Sequence, residues 1–455
     1  MPDLLSPLAL SPTAEDALIA AALAALPVLT GALVLRGYRP FAVIRAMLRR
    51  AAGTAALFVA LIAVALALGL ILTAQERGLR QASARAADPF DVVIAAPGSE
   101  VTAMLAAVYL QPVDIPLLTG AQMAEIAATP GVRLAAPVGF GDSVDGAPVV
   151  GTTAALVAPV AGPMAEGRPF AARGEVVVGA RAPFALGAKL QPAHGTGPDL
   201  DPDDHSHGGE RLIVVGRMTP TGGPWDRAVV TPIETLWQMH GLPDGHAADD
   251  HAENHTAEGE TADHPVRDHA RDTRPIGPPW DSALVPGAPA VVIDTDQLSA
   301  AYGVRAALSR PDMMAFFPGA VLSQLHVMLG DVRAALSVMA LATQVLVTIA
   351  VLAGLTLVMA LFADQFRLLS AMGAPLRFTL AVSWGFAALM ILAGTGLGVV
   401  LALALMGVAS RLMSDRLGMA VSAELGWTEA HMILGFVALM LLAALLPAWR
   451  QMRRA

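Results

Sequence analysis

The chain has no cysteine, so disulfides, thiol nucleophiles and thiolate metal sites are all excluded. Lysine is almost as scarce: Lys189 is the single example in 455 residues. Without a GxxxxGK(S/T) run there is no phosphate-cradling loop, so any ATP the protein draws on must be bound and split by another chain. Charge is thin as well, at 15% of residues against 55% hydrophobic. A soluble globular protein carries about 25% charged residues. No basic patch lies outside the flanks of the apolar runs, which excludes nucleic acid as a partner.

What is present is a set of long uncharged apolar stretches: Ala51–Ala74 near the start, then Ala334–Ala363, Phe378–Ser410 and Met432–Trp449 in the last third. Each is long enough to cross a bilayer as a helix, which closes its own backbone hydrogen bonds. The expected fold class is therefore membrane α-helical with four spans, plus an α+β extracytoplasmic domain between the first and second. The expected organisation is residues 39–75 as a cytoplasmic-side helix and first span, 76–333 as the outer domain, and 334–455 as the remaining three spans. Residues 1–38 form an apolar segment. Its uncharged core, Ala17–Leu35, reads either as a fifth span or as an Ala-rich stretch lying along the membrane.

Arginine sets the orientation. Arg36, Arg39, Arg45, Arg49 and Arg50 precede the first span, Arg367 and Arg377 separate the second from the third, and Arg450, Arg453 and Arg454 follow the last. Loops kept in the cytoplasm hold an excess of basic residues. This places the 364–377 loop and the C-terminal end inside a bacterial inner membrane and the large acidic domain in the periplasm.

Within that domain, Phe90–Ile94, Val132–Val138, Glu175–Gly179, Leu212–Val215, Ala228–Thr231 and Ala290–Ile293 read as strands. Ser99 is expected to cap a helix running to about Tyr109, and Thr119–Ala128 reads as another helix. The first span is expected to continue as helix to Ala87, where Pro89 stops it. Gly394 and Gly398 form a small-xxx-small pair that permits close helix contact, and Asp142–Asp145 reads as a turn rather than a site around Ser143.

Histidine carries the remaining chemistry. Nine of the eleven fall between His194 and His269. The segments 194–209 and 244–272 are poor in large apolar residues and are expected to be loop insertions. His205, His207, His246, His251, His255, His264 and His269 lie among Asp and Glu, a donor set that suits Zn or another borderline divalent ion. The alternative is a solvated polar insertion without ligand.

Several runs resemble the FtsX/MacB/LolC-type permeases of ABC transporters: EVVVGARAPFALGAKL from Glu175, FRLLSAMGAP from Phe366, PAWRQMRR from Pro447, and the segments starting at Phe90 and Val215, which resemble a subgroup with His-rich periplasmic insertions. The resemblance implies a non-enzymatic membrane subunit that transmits ATP hydrolysis by a cytoplasmic ATPase dimer to the periplasmic domain. It also implies pairing with a second copy or a homologous permease, and action on a lipoprotein, peptide or metal-linked partner. Arg367, Gly373 and Arg377 are then expected at the ATPase contact. Two other readings stay open: a membrane-anchored zinc sensor or buffer, and a membrane-anchored metal-dependent periplasmic hydrolase.

Overall fold

The computed structural model describes residues 11–111, 113–194, 211–246, 274–328 and 330–454, with the backbone alone for 194, 330–337, 339–341, 343, 344, 347 and 451–454. Three helices open the chain. α1 (Pro12–Leu35) starts where the Ser11 hydroxyl accepts from the Ala14 amide, α2 is Phe41–Arg50, and α3 (Ala52–Ala87) runs unbroken from the first apolar stretch to just before Pro89. β1 is Val92–Ala95. α4 (Glu100–Ala107) is capped by Ser99, and α5 (Gly120–Ala128) by a reciprocal Thr119–Gln122 capping box. There follow β2 (Val132–Val144), β3 (Ala147–Thr152), α6 (Ala154–Ala161), β4 (Met164–Gly167), β5 (Glu175–Val178), β6 (Lys189–Leu190), β7 (Ala193–His194), β8 (Leu212–Met218) and β9 (Val229–Pro232). Next come α7 (Ile233–Met239), β10 (Ala290–Thr295), α8 (Leu298–Leu308), β11 (Met314–Phe316) and α9 (Pro318–Met328). The last apolar third forms α10 (Gly330–Leu361), α11 (Ala363–Ala371), α12 (Leu376–Leu417), α13 (Trp427–Ala443) and α14 (Leu445–Arg454).

The chain divides into two compact units: residues 1–79, 330–412 and 422–455 in one, and 80–329 with 413–421 in the other. The first is helical. Among the described residues, four helices, α1, α3, α12 and the run from Trp427 to Arg450, are long and apolar enough to cross a membrane, and the bent pair α10–α11 would make a fifth. Ile62, Leu70, Phe366, Phe386 and Met440 are essentially fully buried at its centre. α12 approaches α3 closely because two glycines leave room. A Cβ on Gly394 would lie 2.7 Å from the Ile62 Cβ, and one on Gly398 would lie 2.9 Å from the Ala63 carbonyl oxygen. α1 lies along α13, where His431 Nε2 is 2.9 Å from the Asp16 carbonyl, while Val28, Leu29 and Leu33 remain exposed. Glu429, buried at the first turn of α13, meets Arg77 at 2.8 Å and accepts from the Gly426 amide.

The second unit is α+β. Its mixed sheet runs β11-β1-β10-β2-β3-β9-β5-β8-β4, with β6 on β8 and β7 on β2. β2 serves two cores. Its first half pairs with β10 over the cluster of Val92, Ile126, Ile293 and Val304, and its second half pairs with β3 beside Val149, Val176, Leu212 and Val229. The turn expected at Asp142–Asp145 lies further on. Asp142 and Ser143 continue the strand and are buried, and the reversal is the two-residue loop Asp145–Gly146, with φ of +47° and +78°. Both φ values suit the hairpin turn whose twist matches the strands, and that turn favours an Asp-Gly pair.

Candidate functional site

The segment expected to be a cytoplasmic loop, 364–377, is mostly helix. α10 ends at Leu361, and after Phe362 α11 sets off at 52° to it. Phe362 and Phe366 are buried in the helical core, Phe362 with its ring 6.2 Å from that of Phe386, and they hold the inner face of α11 in place. α11 closes in a glycine C-cap. Gly373 has φ of +87°, its amide donates to the Ser370 carbonyl, and the Ala374 amide donates to Leu369. Pro375 then precedes α12.

This fold leaves one face of the corner outward. Leu368, Met372 and Leu376 are each more than half exposed, and Arg367 and Arg377 stand at its two ends. Arg367 Nη1 lies 3.0 Å from Asp364 Oδ1 in a solvent-exposed pair. Such pairs contribute little to stability, so the guanidinium remains free to exchange partners at low cost. Apolar side chains flanked by arginines form the kind of surface that another protein covers.

Of the seven histidines singled out above, His246 alone falls among the described residues; His205, His207, His251, His255, His264 and His269 lie outside them. His246 lies in an irregular stretch, inside the segment expected to be a loop from residue 244. Asp244 and His246 belong to a packed polar cluster that holds both ends of the insertion. Arg173, with no exposed side chain, donates from Nη1 to Asp244 Oδ2 at 2.6 Å and from Nη2 to the Pro275 carbonyl at 3.0 Å. Arg274 reaches the same Asp244 oxygen at 3.2 Å, and the His246 amide donates to Oδ1. Beside them, buried Glu234 accepts from the Gly277 amide and from Trp280 Nε1, with His246 Nε2 3.8 Å away. Among the described residues no three His, Cys, Asp or Glu side chains form a metal set.

Burial pushes the Asp244 carboxyl up, but the hydrogen bond from Arg173, the His246 amide and the charge of Arg274 outweigh it, so the group titrates below its ordinary value. A carboxyl depressed in the folded state contributes stability that is present above its unfolded pKa, about 3.9, and is lost as pH falls through the folded value. Asp244→Asn is therefore expected to lower the melting temperature by a constant amount above about pH 5, and the gap should close as the pH is taken below about 4. Melting curves of the two chains across that range check this.

Sequence reasoning missed one further contact. His240, at the end of α7, sits with Nε2 3.5 Å from Oδ2 of fully buried Asp142. No spacing rule joins residues so far apart; only the pairing of β2, β3 and β9 in front of α7 does.

No family model and no curated protein matches the chain. Among solved structures, the periplasmic region of MacB from Actinobacillus actinomycetemcomitans is similar over 52% of this chain and 95% of its own, with 9% identity and a TM-score of 0.29. The extracellular domain of the noncanonic ABC-type transporter YknZ from Gram-positive bacteria is similar over 50% of this chain and 98% of its own, with 9% identity and a TM-score of 0.27.

Proposed function

We propose that this chain is the membrane subunit of an ABC transporter. In this reading a separate ATPase dimer docks on the α11 corner, and its closure is relayed through the helices to the α+β unit. That unit acts in the periplasm on a lipoprotein, a peptide or a metal-linked partner. The observation that carries the reading is the corner itself: a short helix anchored by Phe362 and Phe366, with Leu368, Met372 and Leu376 outward between Arg367 and Arg377. Two facts support it. The sequence has no phosphate-cradling loop, so the energy source lies in another chain. The arginines that flank this corner also favour a cytoplasmic side for it. α3 contributes residues to both units and gives the relay a continuous covalent path. A second copy, or a homologous permease, completes the assembly.

Arg367→Glu tests the docking role. With the charge reversed on an exposed residue, the chain is expected to fold as before and to lose at least tenfold in affinity for its ATPase, the size of a rim charge turned against its partner. Co-purification with the endogenous ATPase and nucleotide hydrolysis by the pair are the readouts. Unchanged association and unchanged hydrolysis would overturn the assignment.

A further inference from the structure

The α+β unit holds a cavity of about 250 Å³ against its sheet. Register sets the floor. Pro137 on β2 stands directly opposite Val291 on β10, so both project to one face, and Ala135, two residues before Pro137, shares it. α5 forms one wall with Gly120, Met123, Ala124 and Ala127, the spacing of a single helical face. The segment from Pro278 to Val285, with Trp280, forms the other. Met123, Pro137 and Val291 are buried at the bottom, whereas Ala124, Ala127, Pro278, Pro279 and Ser282 are exposed around the mouth.

Close packing ordinarily closes such a space. Two features keep this one open. The side chains of Ala124, Ala127 and Ala135 end at Cβ and leave the volume unfilled. Trp280, the largest side chain that lines it, is fixed in the wall. Its Nε1 donates to Oε1 of buried Glu234 at 2.7 Å, and its ring meets that of Trp237 edge-on with centroids 6.0 Å apart. Trp237 is held in turn by the Gly287 carbonyl at 3.0 Å. Gly245 lies against the indole, where a Cβ would come 2.9 Å from Cδ1. At one edge α5 is already pressed on the opposite wall: a Cβ on Gly120 would overlap the Ser282 carbonyl and lie 2.8 Å from the Val285 Cβ. The walls therefore can neither fold in nor move closer.

Size and lining choose the ligand. Pockets for drug-sized ligands run to about 300–1,000 Å³, and an apolar cavity of about 150 Å³ takes up benzene, so this one suits a single ring. No charged side chain is among the described residues that line it, so the group it takes is uncharged. Met123 contributes a thioether, which is attracted to an aromatic ring at about 5 Å. The Trp280 indole offers a second ring an edge-to-face or offset-stacked partner, which a branched aliphatic group cannot use.

We propose that this cavity is a binding site for one uncharged aromatic ring, carried by a small molecule or by a peptide side chain. The site lies wholly within the α+β unit and does not depend on the transporter reading.

The test uses the full chain in phosphatidylcholine nanodiscs, with protein-free discs to subtract uptake by lipid. The probes are para-fluorobenzyl alcohol for the free ring and the para-fluoro derivative of N-acetylphenylalaninamide for the side chain, followed by fluorine NMR. Saturable binding of about millimolar strength is expected for a ring of this size, and whichever probe binds tighter names the source. N-acetylleucinamide should compete at least about threefold less well than unlabelled N-acetylphenylalaninamide, because it lacks the ring contacts. Ala124→Leu and Ala127→Leu fill the cavity from exposed helix positions and should each weaken binding at least about tenfold. In the unaltered chain, with methyl-labelled methionine, the Met123 methyl signal should shift under the ring current of the bound probe, a readout that needs no cavity variant to fold. No saturable uptake beyond lipid alone, an unmoved Met123 methyl, equal competition by the leucine derivative, or leucine-filled chains that bind as tightly as their parent would each overturn the proposal.

Discussion

Arg173→Ala is expected to be the most damaging single substitution in the α+β unit, lowering its stability by about 3 kcal/mol. The residue is large, completely buried and charged. It is joined to Asp244 at 2.6 Å and to the Pro275 carbonyl at 3.0 Å. Truncation removes both bonds, opens a void, and leaves the Asp244 carboxylate with the half-exposed Arg274 and the His246 amide as its partners among the described residues. Breaking a buried pair from one side costs more than the pair contributes, because the surviving charge stays desolvated. Arg173→Met separates the two components: it refills most of the volume and is expected to cost less than the alanine variant. A double-mutant cycle with Asp244→Ala should return a coupling above about 1 kcal/mol, since the two share one contact. Thermal denaturation of the full chain, followed by proteolysis near residues 244 and 274, measures both. Wild-type melting in Arg173→Ala would show that the ion pair holds nothing.

The second large effect is in the helical unit. Gly394→Val and Gly398→Val are each expected to destabilise helix packing by about 1–3 kcal/mol, the range for forcing extra volume into a filled interior. At Gly394 the new Cβ would meet Ile62 Cβ at 2.7 Å, and at Gly398 it would meet the Ala63 backbone at 2.9 Å, which cannot swing away. Gly396 supplies the control. It belongs to the same helix and the same apolar run, yet a Cβ there meets nothing within 4 Å, so Gly396→Val should be close to neutral. Unfolding in mixed micelles, read from the buried Trp384, distinguishes the three. Equal losses at all three positions would point to a helix-propensity effect instead of contact.

Much of the architecture is legible because its signals are local. The apolar stretches, the Ser99 cap, the Thr119–Gln122 box and the stop before Pro89 each depend on residues within one or two turns of each other. The α+β character follows from short β-branched runs between helical ones. Strand order does not. β3 lies between β2 and β9, and β5 between β9 and β8, through mixed parallel and antiparallel pairings that no single segment encodes. The Asp142 reading failed for the same reason. Asp, Ser and Gly around position 143 are turn formers, but the turn fell two residues later, where Asp145 and Gly146 both accept positive φ. The segment 364–377, expected as a loop, is largely the helix α11 instead. Phe362 and Phe366 hold it as a helix through contacts with distant helices, and tertiary burial overrides what a short polar stretch would do alone.

The Arg173–Asp244–Arg274 knot also bears on how freely this protein can be altered. Because the chain on either side of residues 246 and 274 meets at a joint fastened by side chains of the sheet unit, a flexible sequence inserted there would start from ends already held together. Doubling the length of such a segment adds only about 0.6 kcal/mol of closure entropy. The joint is thus a natural grafting point, where a reporter domain or another recognition sequence can be spliced in while the strands behind it keep their registers.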